Sequence, residues 1–461
     1  MSKTTTPNID MSVDYVSRVE GHGNIVVTAQ GGAVTEVRFD VTEPPRFFEG
    51  MLKGRPYAEA PLITSRICGI CSNGHTLASI TGVENALGVT PSEQTILLRR
   101  LLMHGETIQS HVLHAYFLVA PDFFGVDSVI PLAATHPDVV KRALRLKKLG
   151  NDLCDVIGGR AVHQIAASVG GFKHYPSVDE LLDIRTRLKD SLDDLAATAE
   201  LFGTLEMPAF DNPTEYLSLK AAGSYAFFGD LILSSNGDIT PVRHYREKVK
   251  ERVVPHSSAK HCRSDQETFM VGALARANNG FQNLSEGARA VADQLGFAPV
   301  CTNSFMNTVA QLVETVHCVE DSIALIDTLL AAGLRPETIE VEVREGHGVG
   351  AVEVPRGTLY HEYGIDRDGR VAEANLIIPT GQNLANLEQD MWVLAPTLLD
   401  KGSAAAQKSL EMLVRAYDPC ISCSTHLIVL DEGPRAAAGI ANDPSGDAPR
   451  TRGADREEER P

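Results

Sequence analysis

Two short Cys-x-x-Cys stretches carry the residues of this sequence best suited to chemistry. The first pair is Cys68 and Cys71, in "RICGICSNGH", and the second is Cys420 and Cys423, in "DPCISCSTH". Each pair can aim two sulfur atoms at one metal ion, and four thiolates suit zinc, an iron–sulfur cluster or another thiophilic metal. About 350 residues separate the pairs. Both ends of the chain must therefore fold onto each other to close a shared site.

The spacing of the cysteines leaves three interpretations open: a structural zinc site, two unrelated pairs, and a catalytic thiolate–metal site. Small zinc modules usually keep their pairs close in sequence, and iron–sulfur clusters held by such remote pairs are less common. A site shared by these pairs fits best at the centre of a large domain. The other cysteines are scattered and predicted to be packing residues; they are Cys154, Cys262, Cys301 and Cys318.

Composition excludes several classes of protein. The chain has 461 residues, 43% of them hydrophobic, and a formal net charge of -18. Its length allows a large core, and its acidity argues against nucleic-acid partners, since affinity there comes mainly from Lys and Arg. No apolar run approaches about 18 residues, so no membrane insertion is expected. The N-terminus has no apolar stretch typical of a signal peptide.

The elements that must position the cysteines alternate between helices and short strands. Residues 14–40 predict a β-hairpin around Gly31 and Gly32, and residues 45–65 read as irregular. Helical patterns cover residues 137–168, 177–206, 281–333 and 383–416, while residues 215–260 and 337–378 read as strand-rich. Residues 431–461 have almost no large apolar residues, which predicts a disordered polar tail.

The stretch from residue 90 to residue 120 predicts the most buried helix. Thr90 is the predicted N-cap, with Pro91 at the first helical position and Glu93 in the capping-box position. Apolar residues occur around most of this helix, so we expect it to lie at the centre of the fold. Pro121 is predicted to end it.

The segments around the cysteines resemble the large, catalytic subunit of the nickel–iron hydrogenases. The resemblance spans residues 15–426 and rests on motifs in the family's order: "SRVEGHGNI", "EPPRFFEGMLKGRPYAEAPLITSRICGICSNGHTLAS", "FMVGALARANN", "VPRGTLYHEY", "NLIIPTGQN" and "YDPCISCSTH". It implies that family's fold, mainly α with smaller α+β parts: a central bundle of long helices with peripheral sheets. It also implies one interlocked catalytic domain over residues 1–430. The predicted parts of that domain are residues 14–75, 76–206, 207–336, 337–382 and 383–426.

The resemblance implies a role for each matching residue. Cys68 and Cys420 correspond to terminal nickel ligands, and Cys71 and Cys423 to sulfurs that bridge nickel to an iron carrying carbon monoxide and cyanide. Four soft thiolates suit such a redox-active metal. Of the other matching residues, Glu20 corresponds to a proton-transfer carboxylate, Arg356 to a cation over the metals, and Pro355 and Thr380 to neighbours of the iron's cyanide ligands. Cys420 is the candidate first base.

A magnesium site is implied beside the nickel site. Its ligands correspond to the Glu49 carboxylate, the backbone carbonyl near Leu376 and the His426 side chain, a hard-oxygen environment apart from the imidazole. The sequence departs from many relatives at Ser110, where the family often has an Asp near the conserved arginine. Ser110 is similar to the residue in the cytoplasmic bidirectional branch of the family, and it leaves Arg356 with one counter-charge fewer.

The implied function is reversible cleavage of H2 to protons and electrons in the cytoplasm. Electrons are expected to leave through an iron–sulfur small subunit and diaphorase-type subunits using flavin and NAD(P). Maturation factors are expected to load the metals, and an endopeptidase is expected to cleave after His426. The alternatives are an H2-sensing or non-catalytic relative and a zinc-binding scaffold. Related quinone-reducing subunits have lost the cysteine pairs, which this chain keeps.

Overall fold

Long helices form the centre of the protein. The computed structural model describes residues 9–425. The helices there are α1 Phe48–Leu52, α2 Ala60–Thr64, α3 Ser72–Leu87, α4 Glu93–Leu113, α5 Ala120–Phe123, α6 Val129–Thr135, α7 Pro137–Gly158, α8 Val178–Gly203, α9 Tyr245–Lys248, α10 Ala273–Gly280, α11 Glu286–Gln294, α12 Asn307–Ala332, α13 Pro379–Leu394, α14 Ser403–Ala416 and α15 Ile421–Ser424.

Short strands surround these helices. They are β1 Ile9–Val13, β2 Gly23–Gln30, β3 Ala33–Val41, β4 Ala167–Ser168, β5 Gly171–Phe172, β6 Glu215–Lys220, β7 Leu231–Ser234, β8 Ile239–Pro241, β9 Lys250–Arg252, β10 His261–Arg263, β11 Phe269–Met270, β12 Gly346–Val354, β13 Gly357–Ile365 and β14 Val371–Ile377. The two three-stranded sheets, β1-β2-β3 and β12-β13-β14, are antiparallel. The four-stranded sheet has the order β11-β6-β7-β8, with β11 parallel to β6.

Helices α4, α7, α8 and α12 pack on one another as the predicted central bundle. Every residue of α4 from Leu101 to Val112 is buried, and so is every residue of α12 from Asn307 to Val319. A helix that carries apolar residues around its whole circumference is buried on all sides, because each face has apolar surface to remove from water. The mainly helical fold with peripheral sheets is the one predicted from the sequence.

The described residues belong to one compact unit, Met1–Leu427. The predicted domain boundary at residue 430 and the predicted disordered tail lie outside residues 9–425, and both stay predictions. Within the described residues, no helix is both long enough and apolar enough to cross a membrane.

Three local predictions were wrong. The N-cap of α4 is Ser92 and not Thr90, because the Ser92 hydroxyl accepts a hydrogen bond from the Thr95 N–H at 3.1 Å. Pro121 does not end the helical path: a π-helical stretch follows α4, and Pro121 lies in the first turn of α5, where a missing N–H costs little. Residues 45–65, predicted to be irregular, contain α1 and α2.

The β12–β13 hairpin and α3 are held in close contact by alternating glycines. Gly346, Gly348 and Gly350 face α3, and a Cβ at Gly350 would lie 2.2 Å from the Ala78 carbonyl oxygen. Any side chain on this face would force the strand away from the helix, so glycine is required by the close approach. The contact matters for the site, because α3 begins directly after Cys71 and the hairpin turn carries Arg356.

Substitution of Gly350 by Ala should therefore destabilise the fold. We expect a loss of about 1–3 kcal/mol in the free energy of unfolding, as for other overpacked cores. Thermal unfolding of the purified chain, followed by circular dichroism, measures the change. Gly50→Ala is the matched control, because nothing lies within 4 Å of a Cβ placed there. Equal stability of the two variants would contradict this account of the contact.

Candidate metal centre

The four predicted cysteine ligands lie together in the interior. Their sulfur atoms all lie within 4.8 Å of one another, and all four residues are buried. The Sγ atoms of Cys68 and Cys420 are 3.5 Å apart, and those of Cys420 and Cys423 are 2.6 Å apart. The fold thus brings the two remote pairs into a single cluster of four sulfur donors.

Each cysteine pair sits at the start of a helix. Cys71 is the N-cap of α3, and Cys420 is the N-cap of the short helix α15. The N–H groups of Ile70 and Cys71 point at the Cys68 sulfur, at 3.3 and 3.1 Å. Backbone donors of this kind favour the thiolate form of a cysteine.

Burial and mutual repulsion decide the ionisation of the four thiols. Burial opposes ionisation of Cys68, but hydrogen bonds from the other three thiols outweigh it, and the pKa of Cys68 lies well below its ordinary value. Burial is the largest cause that raises the pKa of Cys423 to about 11. The hydrogen bond with Cys420 lowers the pKa of Cys71, but those with Cys423 and Cys68, burial and the charge of Cys68 outweigh it and raise that pKa well above its ordinary value. Four buried thiolates can coexist only if cations neutralise them. The donor set therefore fits a thiophilic metal centre.

Arg356 lies in the two-residue turn between β12 and β13, with Pro355 beside it. Its Nε donates to the Asp418 carbonyl oxygen at 2.7 Å, and its Nη2 lies 2.9 Å from Asp418 Oδ1. Burial opposes the charge on Arg356, but Asp418 and the sulfurs of Cys420 and Cys68 outweigh it, and its pKa lies well above the ordinary value. Its Nη1 is buried and has no hydrogen-bond partner, so one donor is free for a ligand.

Asp418 is a site residue that sequence analysis missed. It supplies the counter-charge for Arg356, and Gln311 Nε2 donates to its second oxygen at 3.0 Å. Its backbone is left-handed, with a φ of 50°. The sequence feature that could have identified Asp418 is its position two residues before Cys420. Ser110, the predicted departure from the family pattern, is buried, and its hydroxyl has no hydrogen-bond partner.

Glu20 lies beside the second cysteine pair and not in solvent. Its backbone forms a parallel bridge with Cys420, in which the Ile421 N–H donates to the Glu20 carbonyl oxygen at 2.9 Å. Its carboxylate accepts hydrogen bonds from the N–H of Ser422, at 3.2 Å, and from the Ser422 hydroxyl. Gly21 makes this approach possible: its φ is +88°, and a Cβ there would lie 2.7 Å from the Ile421 Cβ.

Thr380 contacts the backbone of the second pair. Its hydroxyl oxygen accepts a hydrogen bond from the Cys420 N–H at 2.9 Å, and the residue is buried in the first turn of α13. The carbonyl oxygen of Pro355 accepts a hydrogen bond from the buried Arg276 at 3.2 Å. These contacts fix both predicted neighbours of the sulfur cluster.

Glu49 and Leu376, two of the three predicted magnesium ligands, are adjacent. The Glu49 Oε1 accepts a hydrogen bond from the Leu376 N–H at 2.8 Å. Burial raises the pKa of Glu49, while this hydrogen bond and the charge of Lys260 oppose that rise. The third predicted ligand, His426, lies outside the described residues. Thr425, the residue before it, contacts Arg46: its carbonyl oxygen accepts a hydrogen bond from the Arg46 N–H at 3.2 Å.

Glu106, another residue that sequence analysis missed, holds the start of α3. Its carboxylate accepts hydrogen bonds from the N–H groups of Asn73 and Gly74, at 2.7 and 3.2 Å. A carboxylate is favoured at a helix N-terminus by the free N–H groups and the helix dipole. Its position on α4, 33 residues from Asn73, left no local pattern to find it.

Comparison with known proteins agrees with this geometry. A family model described as nickel-dependent hydrogenase matches residues 46–142 and 234–426, and one described as HoxL-like matches residues 10–43. The chain is 37% identical to sulfhydrogenase 1 subunit alpha of Pyrococcus furiosus over 424 residues, which cover 92% of this chain and 99% of that one. It is 27% identical over 470 residues to the NAD-reducing hydrogenase HoxS subunit beta of Cupriavidus necator, with 90% and 94% covered.

A solved NAD+-reducing [NiFe]-hydrogenase in the H2-reduced state has the same fold. The TM-score is 0.81 at 29% identity, with 92% of this chain and all of that chain covered. The chain belongs to the nickel-dependent hydrogenase family, as a large subunit. It is a nickel–iron hydrogenase catalytic subunit, as the sequence motifs predict.

Substitution of Arg356 by Lys should abolish most of the turnover while leaving metal content intact. Lysine keeps the charge, but its three donors share one nitrogen and cannot replace the separate nitrogens with which Arg356 bonds Asp418 and leaves Nη1 unpartnered. We expect the rate of H2 oxidation per nickel to fall by about 10²–10³-fold, as when an electrostatic donor is lost from an active site. The measurement is H2-dependent reduction of an artificial acceptor, with nickel quantified in the same sample.

Arg99→Lys is the control for this prediction. Arg99 forms an equally buried two-bond pair with Glu84, at 2.8 and 2.6 Å, and no described contact joins it to the cysteines. Its variant should lose stability and keep its rate per nickel. Similar rates in both variants would contradict the role given to Arg356.

Proposed function

We propose that the four cysteines hold a nickel and an iron, and that this chain cleaves H2 reversibly into two protons and two electrons. The observation that carries the proposal is the cluster of four buried sulfurs beside the free Nη1 of Arg356. Family membership implies nickel and iron. Bound there, the two metals would supply the Lewis acidity and the redox capacity for the two electrons of H2.

The cysteines divide into two kinds of ligand in this proposal. Cys68 and Cys420 would hold nickel alone, and Cys71 and Cys423 would hold both nickel and iron. Support comes from the soft, buried donor set and from the lowered pKa of Cys68, which burial opposes and the neighbouring thiols produce. Thiolates are the form in which cysteine binds metals.

Proton transfer begins at the Cys420 sulfur and continues through Glu20. As the H–H bond breaks, the Cys420 sulfur would take one proton and pass it to the Glu20 carboxylate. The bound metals would supply the capacity to accept the other hydrogen with the bonding electron pair, which leaves as the second proton and two electrons. The support is the bridge that ties the backbone of Glu20 to that of Cys420, together with the Ser422 hydrogen bonds that orient the carboxylate. A positioned carboxylate of this kind acts as a general base.

Arg356 and Thr380 hold the diatomic ligands of the iron, which we propose are carbon monoxide and cyanide. The free Nη1 of Arg356 is a donor for one cyanide nitrogen. The Thr380 hydroxyl already accepts a hydrogen bond from Cys420 N, so its own proton is left to donate to a second. Pro355 contributes apolar surface. The fixed charge of Arg356 also polarises H2.

A magnesium ion is part of this proposal, held by Glu49, the carbonyl oxygen of Leu376 and His426. Glu49 is partly buried and lies against the backbone of Leu376, and a carboxylate and a backbone carbonyl are the hard oxygen donors that suit magnesium. The adjacency of Glu49 and Leu376 and the burial that raises the pKa of Glu49 support it. The ion would tie the segment around His426 to the segment before Cys68.

Cleavage after His426 by an endopeptidase belongs to the same proposal, and residues 426–461 lie outside the described part of the chain.

Electrons leave through partner subunits in this proposal. Within residues 9–425, the four clustered cysteines are the one group of sulfurs arranged for metal binding. Cys154, Cys262 and Cys318 are buried singly, and Cys301 is partly buried. We propose an iron–sulfur small subunit and diaphorase-type subunits that use flavin and NAD(P). The NAD-reducing relatives support this coupling and, through it, a cytoplasmic location.

Glu20→Gln tests the catalytic proposal. The amide oxygen of glutamine can accept from the Ser422 N–H, and its NH2 group can donate to the Ser422 hydroxyl. Because the amide cannot take a proton, H2 oxidation should fall by about 10²–10⁴-fold, as when a general base is lost. Nickel and iron contents should not change. The measurement is H2 uptake by the assembled complex, normalised to nickel.

Glu337→Gln is the matched control. Glu337 also accepts a hydrogen bond from a serine hydroxyl, that of Ser92 at 2.6 Å, and takes no part in the cysteine cluster. The control should keep the wild-type rate. Wild-type H2 uptake by Glu20→Gln, with full nickel loading, would remove Glu20 from the proton path.

A further inference from the structure

A second group of metal-binding side chains lies outside the cysteine centre. It consists of His256, His261 and Glu388, whose nearest ligand atoms all lie within 4.8 Å of one another. His256 lies in the loop between β9 and β10, His261 begins β10, and Glu388 lies on α13. Two imidazoles and one carboxylate are a ligand set that proteins use for zinc and related divalent ions.

The distances in this group fit an ion that the three side chains share. The Nδ1 of His261 is 3.8 Å from Glu388 Oε2, too far for a hydrogen bond. Two donors that share one zinc ion tetrahedrally lie about 3.4 Å apart. The Nε2 of His256 is 2.7 Å from Glu388 Oε1, and the ligand atoms of His256 and His261 lie within 4.8 Å of each other.

His261 is the member of the group that points most clearly to a bound ion. It is fully buried, and neither of its ring nitrogens has a hydrogen-bond partner. Leaving both nitrogens unpaired in the interior is costly. Glu388, in contrast, is held in place by the Phe39 N–H, which donates to its Oε1 at 3.0 Å.

Charged side chains surround the group. Burial, followed by the neighbouring His256, Arg252 and Arg263, lowers the pKa of His261 to about 3. Arg252 and Arg263 oppose a further cation, and the carboxylates of Glu388 and its neighbour Asp40 offset them.

We propose that His256, His261 and Glu388 form a zinc site, with water in the remaining position. Nitrogen donors favour zinc over magnesium or calcium, which prefer oxygen. The three ligands come from the β9–β10 ribbon and α13, so the ion would fasten these two segments together. The hydrogen bond from the Phe39 N–H to Glu388 ties β3 to the same point. Its function is structural. The inference does not depend on the hydrogen chemistry proposed for the cysteines.

Metal analysis of the assembled complex tests the site. After passage over a chelating resin, the wild type should retain about one zinc ion per large subunit in addition to nickel and iron, as expected of a structural site. His256→Ala and Glu388→Gln should each lower the zinc content at least about tenfold, since even losses outside the ligand set weaken sites that much. Nickel and iron contents should not change in either variant.

His347→Ala is the control, because His347 pairs with Glu362 at 2.9 Å and belongs to neither group of metal-ligating side chains found among residues 9–425. It should keep the wild-type zinc content. Added zinc should also raise the unfolding temperature of the metal-stripped wild type and leave those of the two ligand variants unchanged. The proposal is overturned if the wild type holds no more zinc than His256→Ala. It is also overturned if all four proteins hold equal zinc, which would place that zinc elsewhere, for example on the cysteines.

Discussion

Four cysteine sulfurs, all buried and all within 4.8 Å of one another, set the constraint on which the rest of the structure depends. Their negative charges cannot share the interior without cations. Arg356 brings one positive charge to them, and its ion pair with Asp418 holds the guanidinium in place. A metal centre with more than one positive charge is what such a cluster requires, and the family of the chain provides it.

The long helices and small sheets serve to bring remote segments to this cluster. Helix α3 starts at the first pair and is pressed by glycines against the hairpin that carries Arg356. The N-terminal segment delivers Glu20 to the backbone of the second pair, and α13 delivers Thr380. Since each of these contacts joins residues far apart in sequence, the site exists only when the whole unit is folded.

The sequence predicted the fold class and the four cysteines that the structure brings together, because these residues lie in short, contiguous motifs. It did not identify Asp418, Ser422 or Glu106. Their importance comes from contacts with distant residues, and a left-handed aspartate before a proline gives no distinctive pattern on its own. Local helix signals were also misread. The N-cap of α4 is Ser92 and not the predicted Thr90. Pro121 does not end the helical path, because a π-helical stretch separates α4 from α5 and Pro121 lies in the first turn of α5.

An infrared spectrum of the complex, purified anaerobically with its partners and maturation factors, tests the central claim most directly. The account predicts bands from carbon monoxide and cyanide bound to iron in protein that contains nickel. It also predicts that these bands disappear when Cys71, a proposed bridge, is replaced by Ser. Fully matured, metal-loaded protein without such bands, or with zinc in place of nickel at the four sulfurs, would contradict the account and leave the cysteines as a structural zinc site.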